Sequence, residues 1–454
     1  MLKREKSEEL TKVFNEYYPG GHSNLRIPMQ VTKHRLFIDR AEGSHLFDVD
    51  GNEYIEYNGA LGPNILGHKH PKFVKKMKEF LDTTGTSIGS NLLFTPTDVE
   101  VAEMLRKFVP CVEQLKFTLS GTEAVQTAFR IARAYTGKSI IVRFYGQYCG
   151  WMDNVLGGIR NPDPDARPNP INQENEHIKQ EGMFTEGKSP WAANETFLIP
   201  WNDFEFLEKT FDKYHDEIAM IHFEGIVWNH DGLYPKPGFL EKIRELCDKY
   251  NVVMCMDEII TGFRTGLGGA QSLLGVTPDI CTMGKAIGGG IPIACVGGKK
   301  EIMEVLRDGK VIAPGTYQGY GFGMAAIKAC LEILSENDGA VYKQIKQVQE
   351  KLMDGLVELS NKYDLPLTIS EAPGVFSALF GIPGGRRRLY DDEETEHFDR
   401  KMSNDFQKYM QENGVFLMFG GRWYLHAQHT MEDVEKTLIA ADKSMKAIKD
   451  DMNK

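Results

Sequence analysis

Two residues, a lysine and an aspartate, carry the first chemical hint. Lys285 stands in Thr282-Met283-Gly284-Lys285-Ala286-Ile287-Gly288-Gly289-Gly290, and Asp257 in Met256-Asp257-Glu258-Ile259, each closing a short apolar run. A lysine set among glycines at the end of such a run lacks the surroundings of a surface lysine. Glycines there let the backbone approach something flat or bulky. Such an amine forms a Schiff base with an aldehyde, and a carboxylate keeps a pyridinium nitrogen protonated; pyridoxal phosphate chemistry uses that pair. Taken singly, the two residues read more plainly as a core-flanking lysine and a satisfied strand-end aspartate.

Three other segments bear on the choice. Ser120-Gly121-Thr122-Glu123 joins a strand pattern to a helix pattern. Free amides and the positive helix end meet there, suiting a phosphate, although Ser120 or Thr122 as a simple N-cap fits equally. Gly146-Gln147-Tyr148-Cys149-Gly150-Trp151 places Tyr148 just past a strand, where it could stack on a planar group or merely pack a loop. Glu224 closes another apolar run. In α/β proteins ligands bind at the carboxyl edge of the sheet, so these strand ends point to one site.

The elements that must position them follow from the hydrophobic pattern. Strand signals recur at 36–38, 46–49 and 54–57, the last two joined by the turn-forming Asp50-Gly51-Asn52. From about 71 to 335, strands and helices alternate. Strands are expected at 114–119, 139–145, 218–223 and 252–256, and helices at 122–135 and 237–250, the latter stopped by Asn251. Val125, Phe129, Ala132 and Tyr135 form the expected apolar side of the first helix. The continuous apolar run Val252-Val253-Met254-Cys255-Met256 marks a strand buried on both faces of a parallel sheet. This pattern predicts a three-layer α/β/α domain over 71–335. The 1–70 segment and the 336–454 segment together predict a smaller α+β domain. The stretch from 158 to 193, rich in Pro, Asn and Gly, reads as a long loop.

Composition narrows the class. The chain has 454 residues, 41% hydrophobic and 26% charged, with a net charge of −11. No basic face with interleaved aromatics argues for nucleic acid, and no apolar run is of membrane-spanning length. Arg386-Arg387-Arg388 precedes Asp391-Asp392-Glu393-Glu394, which reads as a solvated, self-compensating loop. The seven cysteines form no CxxC pair and suit buried hydrophobes in a reducing, cytoplasmic setting better than disulfides or a metal site.

On these motifs the chain resembles the class III aminotransferases of the type I pyridoxal-phosphate fold, particularly the glutamate-1-semialdehyde aminomutase branch. Tyr18-Pro19-Gly20-Gly21, Leu46 through Asn52, Leu66-Gly67-His68-Lys69-His70-Pro71, Ser120 through Ala124, Asp257 through Arg264 and Met283 through Gly290 carry the likeness. The resemblance implies pyridoxal 5′-phosphate on Lys285, with Asp257 at its ring nitrogen. It implies a phosphate loop at Ser120, Gly121 and Thr122, Tyr148 and Ile259 on opposite ring faces, and Glu224 in support. Thr316 resembles the threonine reaching the phosphate from a neighbouring subunit, which implies a homodimer with shared active sites.

Departures from the family pattern bear on the reaction. Cys149 stands for the usual histidine, Leu61 for an aromatic, Tyr320-Gly321 for Asn-Pro, and Gly420-Gly421-Arg422-Trp423 lacks the aminomutase gate glutamate. Arg422, and Arg26 as a second candidate, suit a substrate carboxylate by bidentate pairing, or else serve as surface ion-pair partners. The expected activity is an aminotransferase moving an amino group between an amino acid, β- and ω-amino acids included, and a 2-oxo acid. The alternative is an isomerase of the aminomutase or racemase/epimerase kind. A doubly wound nucleotide binder fits worse, because the glycine run follows the lysine and opens no strand-to-helix turn.

Overall fold

The protein is described by a computed structural model covering residues 2–22, 35–85, 93–158, 185–189, 191–307 and 309–453. These residues form two compact units. One comprises Met1–Val74, Ala340–Arg388 and Glu393–Lys454, and the other Lys75–Gly339 with Leu389–Asp392.

The second unit is built on a seven-stranded sheet. Its order is Gln114–Thr118, Ala294–Gly298, Ile280–Met283, Val253–Glu258, Ile218–Glu224, Ile140–Phe144, Thr196–Ile199. The five strands from Ile280–Met283 to Thr196–Ile199 are mutually parallel, while Ala294–Gly298 runs antiparallel to both neighbours. That reversal makes the sheet mixed. The two central strands, Ile218–Glu224 and Val253–Glu258, are buried along their whole length, as their unbroken apolar runs require.

The helix expected at 122–135 is Gly121–Thr136, with Val125, Phe129 and Ala132 buried against the sheet. Tyr135, expected on the same side, is instead 36% exposed. It lies in the helix's last turn, where a phenol keeps its polar tip in water. Helix Phe239–Tyr250 ends where expected, because Asn251 takes a left-handed conformation (φ 52°) and its N–H returns to the Cys247 carbonyl.

Strand alternation sends the neighbouring acids Asp257 and Glu258 to opposite faces. Asp257 faces the site described below. Glu258 accepts the Ala270 and Gln271 N–H groups, both at 2.9 Å, and the Thr261 hydroxyl. It therefore caps the first turn of helix Gly269–Leu274 from within the core.

The other unit holds two four-stranded sheets. In one, Ile38–Glu42, His45–Asp48 and Glu53–Glu56 form a meander joined by Val415–Phe416; in the other, the order is Gly385–Arg386, Leu367–Ala372, Val375–Phe380, Arg422–Tyr424. The Asp50-Gly51-Asn52 turn forms as its sequence suggests, with the Asp48 carboxylate accepting the Asp50 and Asn52 amides. Helix Gly321–Lys362 begins well before 335 and is interrupted at Asn337, Asp338 and Gly339, all left-handed.

The three-arginine run does not form one self-compensating loop. Arg386 lies on a short strand and pairs with Asp354 and Glu371, while Arg387 pairs with Glu394. All seven cysteines are buried, and none forms a disulfide. No helix among the described residues is long and apolar enough to cross a membrane.

Removing the Glu258 carboxylate strands two buried amides and a hydroxyl. Glu258→Leu should destabilise the cofactor-free protein by about 2–4 kcal/mol, and Glu258→Gln by less. Thermal unfolding of the two variants measures the order; equal losses would show that hydrogen bonding to Glu258 is not what holds this turn.

Candidate active site

The carboxyl ends of the central strands bring the site together. Glu224 and Asp257 end adjacent parallel strands and stand opposite each other in register, and Asp257 in turn stands opposite Thr282. The Ile280–Met283 strand then leads through Gly284 to Lys285. Lys285 adopts φ 48°, a left-handed conformation rare for a side-chain-bearing residue. It opens a single 3₁₀ turn, Lys285–Gly288. Such strain concentrates where function fixes a side chain's direction.

Asp257 is nearly inaccessible to water. Its Oδ1 accepts the Ile259 N–H at 2.9 Å, and its Oδ2 lies 3.4 Å from Nε2 of His222. Burial, and then the nearby Glu224 charge, push its carboxyl up to about 8, while the Ile259 amide and Lys285 pull the other way. A carboxylate so placed gains most from a cation held against it.

Glu224 does a different task. Oε1 accepts the Tyr148 N–H at 3.1 Å and the Asn229 side-chain amide at 2.7 Å, and Oε2 accepts the Trp228 N–H at 3.0 Å. Its own N–H donates to Gln147 Oε1 at 2.7 Å. One buried carboxylate thus ties the loop bearing Tyr148 to the turn after the Ile218–Glu224 strand. The Tyr148 side chain remains 36% exposed, so its ring is available as a surface, and partial burial raises its hydroxyl pKa.

Ser120 caps helix Gly121–Thr136, its hydroxyl accepting the Glu123 N–H at 3.3 Å. The capping expectation for Ser120 is met. Gly121 and Thr122 supply the helix's first amides, which no intrahelical carbonyl can accept. Ile259 packs so closely on this turn that a Cβ on Gly121 would come within 3.1 Å of Ile259 Cδ1, and one on Gly284 within 3.0 Å of the same atom. The two glycines thus leave room for Ile259 to pack tightly between the helix turn and the lysine loop. These residues suit a flat ring with a cationic nitrogen at Asp257 and an anionic group toward the helix end.

Thr316 lies in an exposed turn near Ile312 and Tyr317, which are also exposed. Arg422 belongs to the other unit, where it begins strand Arg422–Tyr424 and its Nη1 donates to the Tyr424 hydroxyl at 3.1 Å. No carboxylate among the described residues pairs with it. Arg26 and most of the 158–193 stretch lie outside the described residues. Among the described residues no cluster of His, Cys, Asp and Glu could hold a metal ion.

Sequence reasoning missed His222 and Gln147, both fully buried, and Asn229. His222 left a signal: it is the one polar interruption of the Ile218-Ala219-Met220-Ile221-His222-Phe223 run. Gln147 and Asn229 left none, since nothing in a loop sequence shows which strand-end carboxylate it will meet.

The chain is also similar to known proteins in sequence and in fold. The chain is 35% identical over 457 residues to the glutamate-1-semialdehyde 2,1-aminomutase 2 of Brevibacillus brevis, covering 98% of this chain and 99% of that one. A transaminase solved with pyridoxal phosphate bound superposes with a TM-score of 0.86 at 25% identity, over 100% of both chains. The omega-transaminase of Sphaerobacter thermophilus superposes at 0.85, with 24% identity over 97% of each chain. The fold is thus that of the type I pyridoxal-phosphate enzymes. Residues 27–432 match the family Aminotransferase class-III, and to that family this chain belongs.

Proposed function

We propose that the protein is a pyridoxal-phosphate-dependent aminotransferase that moves an amino group between an amino acid, β- or ω-amino acids included, and a 2-oxo acid. The observation that carries this reading is the strand-end assembly of Lys285, Asp257 and Glu224 on adjacent strands. When bound, the cofactor supplies an aldehyde carbon for the amine and a ring that takes up the negative charge left by a departing proton.

The chain's own residues do the rest. Lys285 Nζ would hold that carbon and, once freed by the donor amine, would move a proton from the substrate Cα to that carbon as general base and then acid. Asp257 would hold the ring nitrogen protonated. Ser120, Gly121 and Thr122 would receive the phosphate, Tyr148 and Ile259 would contact the ring, and Glu224 fixes the Tyr148 loop. Arg422, with Arg26, binds substrate carboxylates. Thr316 would reach the phosphate of a second copy, and its exposure beside Ile312 and Tyr317 suits a homodimer. Seven buried cysteines outside any disulfide suit the reducing cytoplasm.

The second reading is an isomerase acting on a single substrate, favoured by the identity to an aminomutase. Arg422, standing where the aminomutase branch carries its gate glutamate, speaks for the transferase. An arginine can bind the carboxylate of donor and acceptor alike.

Three experiments follow from these assignments. Borohydride should fix the cofactor to Lys285, and Lys285→Ala should abolish turnover while retaining non-covalent binding; an adduct mapped to another lysine would overturn the anchor.

For Asp257, a pKa raised in the folded protein gives stability that is present below the ordinary carboxyl value, about 4, and lost as pH rises through about 8. Cofactor-free Asp257→Asn should therefore melt above the cofactor-free wild type in alkali, with the gap closing toward about pH 4. The same variant should slow proton abstraction severely in single turnover, and a normal rate there would contradict the ring-nitrogen role.

Arg422→Ala should lower kcat/KM for carboxylate substrates roughly ten- to a hundred-fold and spare neutral amines. Efficient isomerisation without an oxo acid, together with an indifferent Arg422→Ala, would favour the isomerase.

A further inference from the structure

His222 is fully buried in the middle of the sheet, on the same strand as Glu224 and two residues before it. It stands opposite Cys255 in register, so it shares a sheet face with Glu224, Cys255 and Asp257. Its Nε2 lies 3.4 Å from Asp257 Oδ2, and neither ring nitrogen has a hydrogen-bond partner among the described residues. The Phe129 ring meets it edge-on, with centroids 5.6 Å apart and planes at 86°, and so fixes the imidazole's tilt from the helix side.

A buried polar ring without partners costs free energy unless a nearby group repays it. Within reach here is the Asp257 oxygen that does not accept the Ile259 N–H, Oδ2, with the Thr282 hydroxyl also beside that carboxylate. We propose that His222 is the positioning residue of Asp257: its neutral imidazole donates Nε2–H to Oδ2, orienting the carboxylate toward the cofactor's ring nitrogen without cancelling its charge. This inference rests on the cofactor reading above.

The charges around His222 keep it neutral. Burial first, and then the Arg143 cation, push its pKa down to about 3. Glu224 and Asp257 on its own face, Cys255 opposite and Lys285 beyond Asp257 complete its titratable surroundings. A cationic partner such as lysine would neutralise Asp257 and weaken its hold on a pyridinium. A neutral donor aims the carboxylate and leaves its full charge for the ring, the way a neutral residue orients an ionised one in other preorganised sites. When Asp257 is protonated in the cofactor-free protein, the other tautomer of the same imidazole can accept a hydrogen bond from its hydroxyl. His222 thus suits both states of its neighbour.

The test uses the whole protein with His222→Leu, which keeps apolar bulk, and His222→Gln, whose amide can still donate or accept. Three quantities are read: pyridoxal phosphate affinity of the cofactor-free protein, the pH profile of the bound chromophore's absorbance, and kcat against KM. His222→Leu should weaken cofactor binding roughly ten-fold or more, displace the pH profile, and lower kcat with KM unchanged. His222→Gln should restore all three toward wild type. Should the leucine variant not fold, His222→Phe serves in its place.

Leucine and glutamine variants equally impaired, or a leucine variant indistinguishable from wild type, would overturn the assignment. A wild-type protein that takes up no pyridoxal phosphate would overturn the cofactor reading, and this inference with it.

Discussion

Two carboxylates buried a strand apart govern this site. Asp257 and Glu224 end neighbouring strands in register, in a place where water cannot reach either to screen their repulsion. The chain treats them unequally. Glu224 is surrounded by N–H donors from Tyr148, Trp228 and Asn229, which stabilise its charge locally. Asp257 receives one short backbone hydrogen bond and is pushed toward neutrality. The unsatisfied charge belongs to Asp257, and it defines what the site is built to receive.

Much of the surrounding architecture serves that inequality. Satisfying Glu224 requires the Tyr148 loop to come back over the strand end, and that requirement places the exposed face of Tyr148 above the site. Ile259, next but one to Asp257, donates the amide that orients the carboxylate. Its side chain meanwhile packs on both Gly121 and Gly284, linking the helix end and the lysine loop through a single aliphatic group. A larger residue at either glycine would press on the Ile259 side chain. Position and charge are thus set by the same few contacts.

Strand alternation gives the Asp257-Glu258 pair two unrelated duties. One carboxylate takes the Ile259 N–H and faces His222, and the other caps helix Gly269–Leu274 on the opposite face. The capping interaction fixes the end of the Val253–Glu258 strand from behind. The role proposed for Asp257 needs such backing, because a displacement of even one ångström in a preorganised site is costly to catalysis.

The sequence by itself determined the alternation of strands and helices, the buried central strands, and the strand-end positions of Lys285, Asp257 and Glu224. Hydrophobic runs and glycine-flanked ends are local signals, and a residue at the end of a buried strand has few other places to go. It also marked Asn251 as a helix stop and Asp50-Gly51-Asn52 as a turn, since left-handed and turn preferences are properties of single residues. Tertiary structure alone decided the rest. That Ala294–Gly298 runs against its neighbours, that Arg386 leaves its acidic run for Asp354 and Glu371, and that His222 comes to face Asp257 all depend on pairing between distant segments. Helix Met431–Met452 was within reach through its Thr430–Asp433 capping box. The partners of Glu224 were not, because a loop amide carries no mark of the carboxylate it will find.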